Sequence, residues 1–121
     1  MSWWVWVGVA LLGGVGANAR FLVNGLVGAH TRGSFPLPVL VINVSGSLLL
    51  GVFAGIPLEG NALILAGTAT LGSYTTFSTW MLETRQLAAD GSRGAAVLNV
   101  LISLALGIGA IALGRLIGGH V

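Results

Sequence analysis

Four apolar stretches, each long enough to cross a lipid bilayer, take up most of this sequence of 121 residues. A membrane-spanning helix needs about 20 predominantly apolar residues. The stretches that meet this requirement are residues 4–28, 36–56, 61–82 and 95–116. The segments between them are short and hold most of the charged side chains. The pattern predicts an all-α integral membrane protein with one domain, residues 1–121, of four transmembrane helices.

The composition agrees with a membrane environment. Charged residues make up 7% of the chain, whereas a soluble domain has about 25%, so the side chains that would cover a surface in water are missing. The basic residues are scattered arginines, which leave no basic patch for a nucleic acid. The chain has no cysteine, which excludes disulfides and thiolate metal sites.

The arginines are unevenly distributed between the two sides of the predicted bundle. The loops after the first and third spans lie on one side and hold Arg32, Arg85 and Arg93, whereas the other side has only Arg115. Cytoplasmic loops usually carry the excess of basic residues, so the bias weakly favours termini outside the cell. Because the bias is small, insertion of the chain in both orientations stays open.

Small and polar residues recur at every fourth position in three predicted spans, and this spacing puts them on one face of each helix. The stripes are Gly16, Arg20, Asn24 and Gly28 in the first span, Asn43, Ser47, Gly51 and Gly55 in the second, and Asn99, Ser103 and Gly107 in the fourth. Close helix packing is one interpretation. Four short helices have too little interior to bury every stripe, so we predict a partner subunit or an aqueous path.

The acidic residues and histidines argue against an enzyme. Glu59, Glu83 and Asp90 fall at the ends of predicted spans or in loops, so no pair of carboxylates lies within the membrane. His30 and His120 stand alone near segment ends. These positions do not allow a Ser–His–Asp arrangement, and they disfavour a metal role for either histidine.

Arg20 is the one charged side chain well within a predicted span. An intramembrane arginine costs about 2.5–3.5 kcal/mol on insertion scales and normally faces a bundle interior or water. Alternatively, its side chain extends to the nearer interface. At a water-filled mouth it would raise the local concentration of anions, which makes Arg20 a candidate for an anion vestibule.

The third predicted span contains the run LGSYTTFSTW, residues 71–80, which is rich in hydroxyl side chains. Such side chains compete with helical hydrogen bonds, and Gly67 and Gly72 weaken the same helix. The run predicts a helix broken in mid-membrane, with a bent but continuous helix as the alternative. Irregular backbone at that depth survives where it is buried in protein or lines a water-filled cavity. Its freed carbonyl groups can coordinate a cation.

Two aromatic residues close this run. Phe77 and Trp80 are three residues apart, so their rings share a helix face. Because ring edges are electropositive, rings that present edges to a narrow path would favour an anion, although simple packing is the alternative. Uncharged donors can replace the water around a small anion and still let it leave. The candidate donors are Asn43, Ser78, Thr79 and Ser103.

Three motifs, in order along nearly the whole chain, resemble those of the Fluc, or CrcB-type, fluoride channels. GGVGANAR, ending at Arg20, looks like the glycine-rich motif of the first span. INVSGS, which contains Asn43, looks like the motif of the second span. TTFSTW, ending at Trp80, resembles the TTFSTF run of the family and is the most specific of the three.

The resemblance implies a function and an assembly. Members of the family export fluoride passively across the prokaryotic plasma (inner) membrane and so protect the cell from fluoride toxicity. They are antiparallel, dual-topology dimers with two pores. The partners implied are therefore fluoride, the lipid bilayer and a second copy or a homologous subunit.

The resemblance also implies roles for individual residues. Phe77 and Trp80 take the aromatic positions of the pore, and Asn43 contacts fluoride. A polar track is formed by Ser78, Thr79 and Ser103. The backbone carbonyls of Gly72 and Thr75 hold a structural sodium ion at the centre of the dimer. Glu83 matches a family acid whose role is less certain.

The sequence departs from the family pattern at Trp80, where a second phenylalanine is usual, and at Asn99, where a tyrosine is common. Because some members are heterodimers of divergent chains, a non-conducting partner subunit is one alternative. Another is a proton-coupled small multidrug-type exporter, which also has four helices. That mechanism needs a carboxylate deep within a span, and the sequence places none there.

Overall fold

The computed structural model describes residues 2–31, 33, 35–56 and 58–120, and their regular structure is all helical. Arg32, which contributes to the predicted charge bias, lies outside the described residues. The elements are α1 (Trp3–His30), α2 (Leu37–Gly55), α3 (Gly60–Leu63), the π-helix π1 (Ile64–Leu71), α4 (Gly72–Tyr74), α5 (Ser78–Ala89) and α6 (Arg93–Gly119).

Three helices within the described residues, α1, α2 and α6, are long and apolar enough to cross a membrane. Their large apolar side chains are largely exposed: Phe21 is 75% exposed, Leu26 is 65% exposed and Ile108 is 68% exposed. In water, such exposure would forfeit about 25 cal/mol for each Å² left unburied, whereas lipid removes this cost. The prediction of an all-α membrane protein is confirmed.

The ends of the helices follow local chemistry. Proline occupies the first turn of α2, where the missing N–H has no helical acceptor in any case. α5 continues to Ala89, so the loop expected over residues 83–94 is shortened to residues 90–92. Within that loop Gly91 has a φ of 86°, which glycine adopts without a steric penalty.

α2 packs against α6 through glycines that face the opposite backbone. A Cβ atom on Gly114 would overlap the carbonyl oxygen of Leu48, and one on Gly51 would overlap that of Ile111. Gly55 and Gly118 lie equally close to the opposite backbone. Gly51 and Gly55 of the stripe on α2 therefore serve close helix packing. Asn43, at the other end of this stripe, instead faces the region between α4 and α5.

The third predicted span is divided between several elements. α3, π1 and α4 cover residues 60–74 and α5 begins at Ser78, so residues 75–77 lie outside any helix. α1 packs against π1 and α4, where a Cβ on Gly16 would overlap the Thr70 carbonyl and the Ser73 hydroxyl. The π-helix, with its characteristic bond from the N–H of Gly72 to the Gly67 carbonyl, was not predicted.

Candidate functional site

The helical hydrogen bonds stop at Thr75. Its N–H donates to the carbonyl of Leu71 at 3.0 Å, as in a helix, but its own ψ of 160° is extended. The regular pattern resumes with the N–H of Met81, which donates to the carbonyl of Phe77 at 3.0 Å. Between these two bonds, the N–H groups of Thr76 and Thr79 are bonded to side chains.

Asn43 supplies two hydrogen-bond partners from α2. Its Oδ1 accepts a hydrogen bond from the N–H of Thr76 at 2.9 Å, and its Nδ2 donates to the carbonyl of Thr76, also at 2.9 Å. Thr76 is buried, at 8% exposure, and an unpaired buried backbone group costs about 1–3 kcal/mol. The side-chain amide of Asn43 therefore replaces the hydrogen bonds that the interrupted helix cannot make.

The side chain of Thr76 supplies another partner. Its Oγ1 accepts from the N–H of Thr79 at 3.3 Å and donates to Thr79 Oγ1 at 3.2 Å. Threonine commonly caps a helix by accepting an N–H three residues further on. Sequence analysis missed Thr76 as a functional candidate. The available signal was this spacing, with a threonine placed three residues ahead of Thr79 in the first turn of α5.

α2 also holds the segment before the interruption. The hydroxyls of Ser45 and Tyr74 lie 2.8 Å apart, and the Ser45 hydroxyl is 3.1 Å from the carbonyl of Ile42. Ser45 therefore donates to Ile42 and accepts from Tyr74. One residue later, a Cβ on Gly46 would overlap the methyl group of Thr75. Ser45 and Gly46, two successive residues of α2, thus contact the side chains of Tyr74 and Thr75.

Two of the carbonyl groups that lose their helical donors are those of Gly72 and Thr75. In an uninterrupted helix, Gly72 O would accept from the N–H of Thr76, and Thr75 O would accept from the N–H of Thr79. Both N–H groups are bonded elsewhere, to Asn43 and to the Thr76 hydroxyl. Neutral carbonyl oxygens freed by a broken helix are ligands that suit sodium. The residues expected at a sodium site therefore have the chemistry that it needs.

The aromatic pair stands beside this backbone. The ring centroids of Phe77 and Trp80 are 5.7 Å apart with an interplanar angle of 79°, which is an edge-to-face contact. Phe77 is 70% exposed, while Trp80 is half-buried. Both rings line an open groove of about 540 Å³ whose polar walls are formed by Asn43, Ser47, Thr68, Thr75 and Thr76.

A second cavity, of about 310 Å³, lies on the α1 side of the interruption. Arg20, Asn24, Thr76 and Thr79 contribute its polar groups. Thr76 lines both cavities, so one buried residue separates the space around Arg20 from the groove that holds the aromatic pair. Ser78 is exposed and lines neither of these two cavities.

The remaining candidates lie between α5 and α6. Asn99, at 1% exposure, donates from Nδ2 to Thr84 Oγ1 at 2.8 Å, and that hydroxyl donates to the carbonyl of Trp80 at 2.8 Å. The short loop between these helices makes them antiparallel. Ser103 comes four residues after Asn99, and Trp80 comes four residues before Thr84. Because Asn99 and Thr84 are in contact, Ser103 lies level with Trp80.

This interface contains polar atoms that lack partners in the part of the chain that the structure describes. They are Trp80 Nε1, Glu83 Oε1, Asn99 Oδ1 and Ser103 Oγ. The indole of Trp80 contributes to both regions, because its ring lines the groove while its N–H is buried. The structure thus brings Asn43, Phe77 and Trp80 together and places Ser103 in a separate polar cluster.

Comparison with known proteins identifies relatives over most of the chain. A family model described as CrcB-like protein, Camphor Resistance (CrcB), matches residues 7–115. Fluoride-specific ion channel FluC 2 of Mycolicibacterium paratuberculosis is 50% identical over 92% of this chain and 91% of its own length. FluC 2 of Mycobacterium tuberculosis is 45% identical over 92% of this chain and 88% of its own. FluC 1 of Symbiobacterium thermophilum is 37% identical over 95% of this chain and 96% of its own length.

Proposed function

Because this chain belongs to the CrcB-like family, we propose that it is a fluoride-specific ion channel. It is a multi-pass membrane protein rather than an enzyme, and it lets fluoride leave the cell down its gradient, which limits fluoride toxicity. The observation that carries this function is the groove in which Asn43 meets the edge-to-face pair of Phe77 and Trp80. Among the described residues, no carboxylate lines that groove, which disfavours a proton-coupled exporter.

The interruption at residues 75–77 lies at membrane depth in this proposal, as a break in the third transmembrane helix. Fluoride is small and strongly hydrated, so its path must supply donors in place of water. The side-chain amide of Asn43 has two N–H groups and uses one for the carbonyl of Thr76. The second N–H is available to fluoride, so Asn43 can hold the backbone and contact the anion at the same time.

The aromatic pair contributes without a fixed charge. In an edge-to-face contact, one ring gives its edge to the face of the other, which leaves the second ring an edge of its own. The exposed ring of Phe77 can turn this positive edge towards the groove. Because such an edge binds an anion weakly, fluoride can leave again, as conduction requires.

Arg20 supplies the positive potential that gathers anions. Its cavity shares Thr76 with the groove and also contains Thr79. An arginine at the mouth of a narrow path raises the local concentration of anions. Arg20 therefore lines an anion vestibule, and the hydroxyl groups of Thr76 and Thr79 in the same cavity begin the polar track.

The α5–α6 cluster continues the polar track at Ser103. The Ser103 hydroxyl is buried, has no partner among the described residues and lies level with Trp80, so it can donate to an anion that passes the aromatic pair. Ser78, exposed at the start of α5, contributes from the partner-facing side. Glu83 and Asn99 line the same cluster with unpartnered oxygen atoms, which repel an anion and so limit how long it stays.

The conducting unit is a dimer of antiparallel subunits in the prokaryotic plasma membrane, inserted with dual topology. An exposed phenylalanine beside an open polar groove needs a cover, and a second copy or a homologous subunit provides it. The released carbonyls of Gly72 and Thr75 would hold a structural sodium ion at the dimer centre. When bound, sodium would supply a positive charge that offsets the negative ends of these carbonyl dipoles.

Reconstitution tests this function. Purified chain is incorporated into liposomes loaded with potassium fluoride, and valinomycin is added under an outward potassium gradient. A fluoride electrode should record efflux far above that from protein-free liposomes, and chloride should pass much more slowly. Absence of fluoride efflux would contradict the channel function, while equal rates for chloride would remove the claim of selectivity.

A further inference from the structure

Two of the N–H groups that lose a helical acceptor at the interruption are bonded instead to side-chain oxygen atoms. Asn43 takes the N–H of Thr76, and the Thr76 hydroxyl takes the N–H of Thr79. We propose that Asn43 and Thr76 are positioning residues for a monovalent cation, because they free the carbonyls of Gly72 and Thr75. The inference rests on the proposed function for the location of that cation.

The electrostatic reason is local. A carbonyl oxygen that accepts a helical N–H keeps a second lone pair, but the hydrogen beside it carries partial positive charge and repels a cation that approaches. Diverting the N–H of Thr76 removes that repulsion from Gly72 O, and diverting the N–H of Thr79 removes it from Thr75 O. Each side chain therefore acts on one of the two oxygens.

Asparagine is suited to this position because its amide both accepts and donates. The backbone fixes its orientation, since the N–H of Thr76 requires Oδ1 and the carbonyl of Thr76 requires Nδ2. The carbonyl of Thr76 is thereby occupied and cannot compete for the cation. An Asn43 that only contacted fluoride would need neither of these bonds.

The other contacts of α2 hold the same peptide groups in place. The Tyr74 hydroxyl is bonded to Ser45, and Gly46 leaves room for the methyl group of Thr75. Gly72 is exposed and Thr75 is partly exposed, so both carbonyls can be reached from outside this chain. Because two oxygens are too few for a sodium ion, the site needs the second subunit to be complete.

The test uses sodium itself. Thermal unfolding of the purified full chain in detergent is followed while sodium chloride replaces N-methylglucamine chloride at constant ionic strength. For the wild type, the unfolding temperature should rise with sodium. Asn43→Ala should raise the sodium concentration for half of this effect at least tenfold. Thr76→Val should raise it at least threefold, whereas Thr76→Ser, which keeps the hydroxyl, should restore the wild-type value.

Asn18→Ala is the matched control, since the Asn18 amide is exposed and donates only to the Gly14 carbonyl in its own helix. The sodium midpoint is the sodium concentration that gives half of the rise in unfolding temperature. An unchanged midpoint in Asn43→Ala would overturn the inference, and so would a wild-type unfolding temperature that does not depend on sodium. If Asn43→Ala does not fold, the comparison of Thr76→Val with Thr76→Ser decides.

Fluoride efflux is measured in parallel. Its absence from the wild type contradicts the channel function alone, and its loss in Asn43→Ala with an unchanged sodium midpoint contradicts the inference alone.

Discussion

The ring of Phe77 meets the indole of Trp80 edge to face, with centroids 5.7 Å apart and ring planes inclined by 79°. Phe77 is 70% exposed in the single chain, so packing within the subunit does not account for its position. The pair lies where α5 begins, one residue after the backbone that Asn43 holds. Under the proposed function, the ring of Phe77 has a role in permeation that can be tested separately from any role in folding.

Replacement of Phe77 by isoleucine tests that separation. Phe77→Ile keeps an apolar side chain but removes the electropositive ring edge, so we expect fluoride efflux from liposomes to fall at least tenfold. Size-exclusion chromatography should still show a folded dimer. Phe53→Ile is the control, because Phe53 lies half-buried on α2 and lines neither cavity beside the interruption. Equal efflux from the two variants would show that the Phe77 ring is off the path.

The indole nitrogen of Trp80 gives a second prediction. Nε1 is buried and lacks a partner in the described part of the chain, and a buried unsatisfied donor costs about 1–3 kcal/mol. Trp80→Phe removes this N–H and keeps a ring edge. The free energy of unfolding in detergent should therefore stay the same or rise by about 1 kcal/mol, and fluoride efflux should persist. Trp6→Phe, at a site that is 60% exposed, is the matched control. A clear loss of stability confined to Trp80→Phe would mean that the N–H has a partner in the assembled dimer.

The sequence predicts the parts of this fold that depend on local composition. The length of each apolar stretch is enough to locate α1, α2 and α6. Each of these helices meets the length requirement of the bilayer by itself, whatever its neighbours are. The motifs also identify the family correctly, over residues 7–115. Glycine, serine and threonine in residues 71–80 indicate a weak helix, but not where its unpaired groups find partners.

Those partners depend on residues far apart in the chain. Asn43 and Thr76 are 33 positions apart, and their pairing requires α2 to lie beside the interruption. The position of Ser103 beside α5 depends on tertiary packing in the same way, whereas the bond from the Thr79 N–H to the Thr76 hydroxyl is local. The stripe of small and polar residues on α2 shows the same dependence on packing. Asn43 and Gly51 belong to one stripe, but Asn43 contacts Thr76 whereas Gly51 contacts α6.

The close contact between α2 and α6 predicts that glycine is required at Gly114. A Cβ there would overlap the carbonyl of Leu48, and overpacking of this kind typically costs about 1–3 kcal/mol. Gly114→Ala should therefore lower the unfolding temperature in detergent. Gly109→Ala in the same helix is the control, since its Cβ would meet nothing within 4 Å and alanine favours a helix by about 1 kcal/mol over glycine. Similar unfolding temperatures for the two variants would show that the helices can separate without cost.

The position of Arg20 predicts an effect on rate that depends on salt. Its cavity shares only Thr76 with the aromatic groove among their lining residues, so the proposed function has Arg20 attract the anion from a distance rather than coordinate it in the groove. The attraction of exposed charges is screened over about 8 Å at physiological ionic strength and over about 3 Å at 1 M salt. Arg20→Ala should therefore slow fluoride efflux about two- to fivefold at low ionic strength and very little in concentrated potassium sulfate. Arg93→Ala, an exposed arginine at the start of α6, should change neither rate. If the loss in Arg20→Ala were independent of salt, or if this variant alone failed to fold, Arg20 would have a structural role instead of gathering anions.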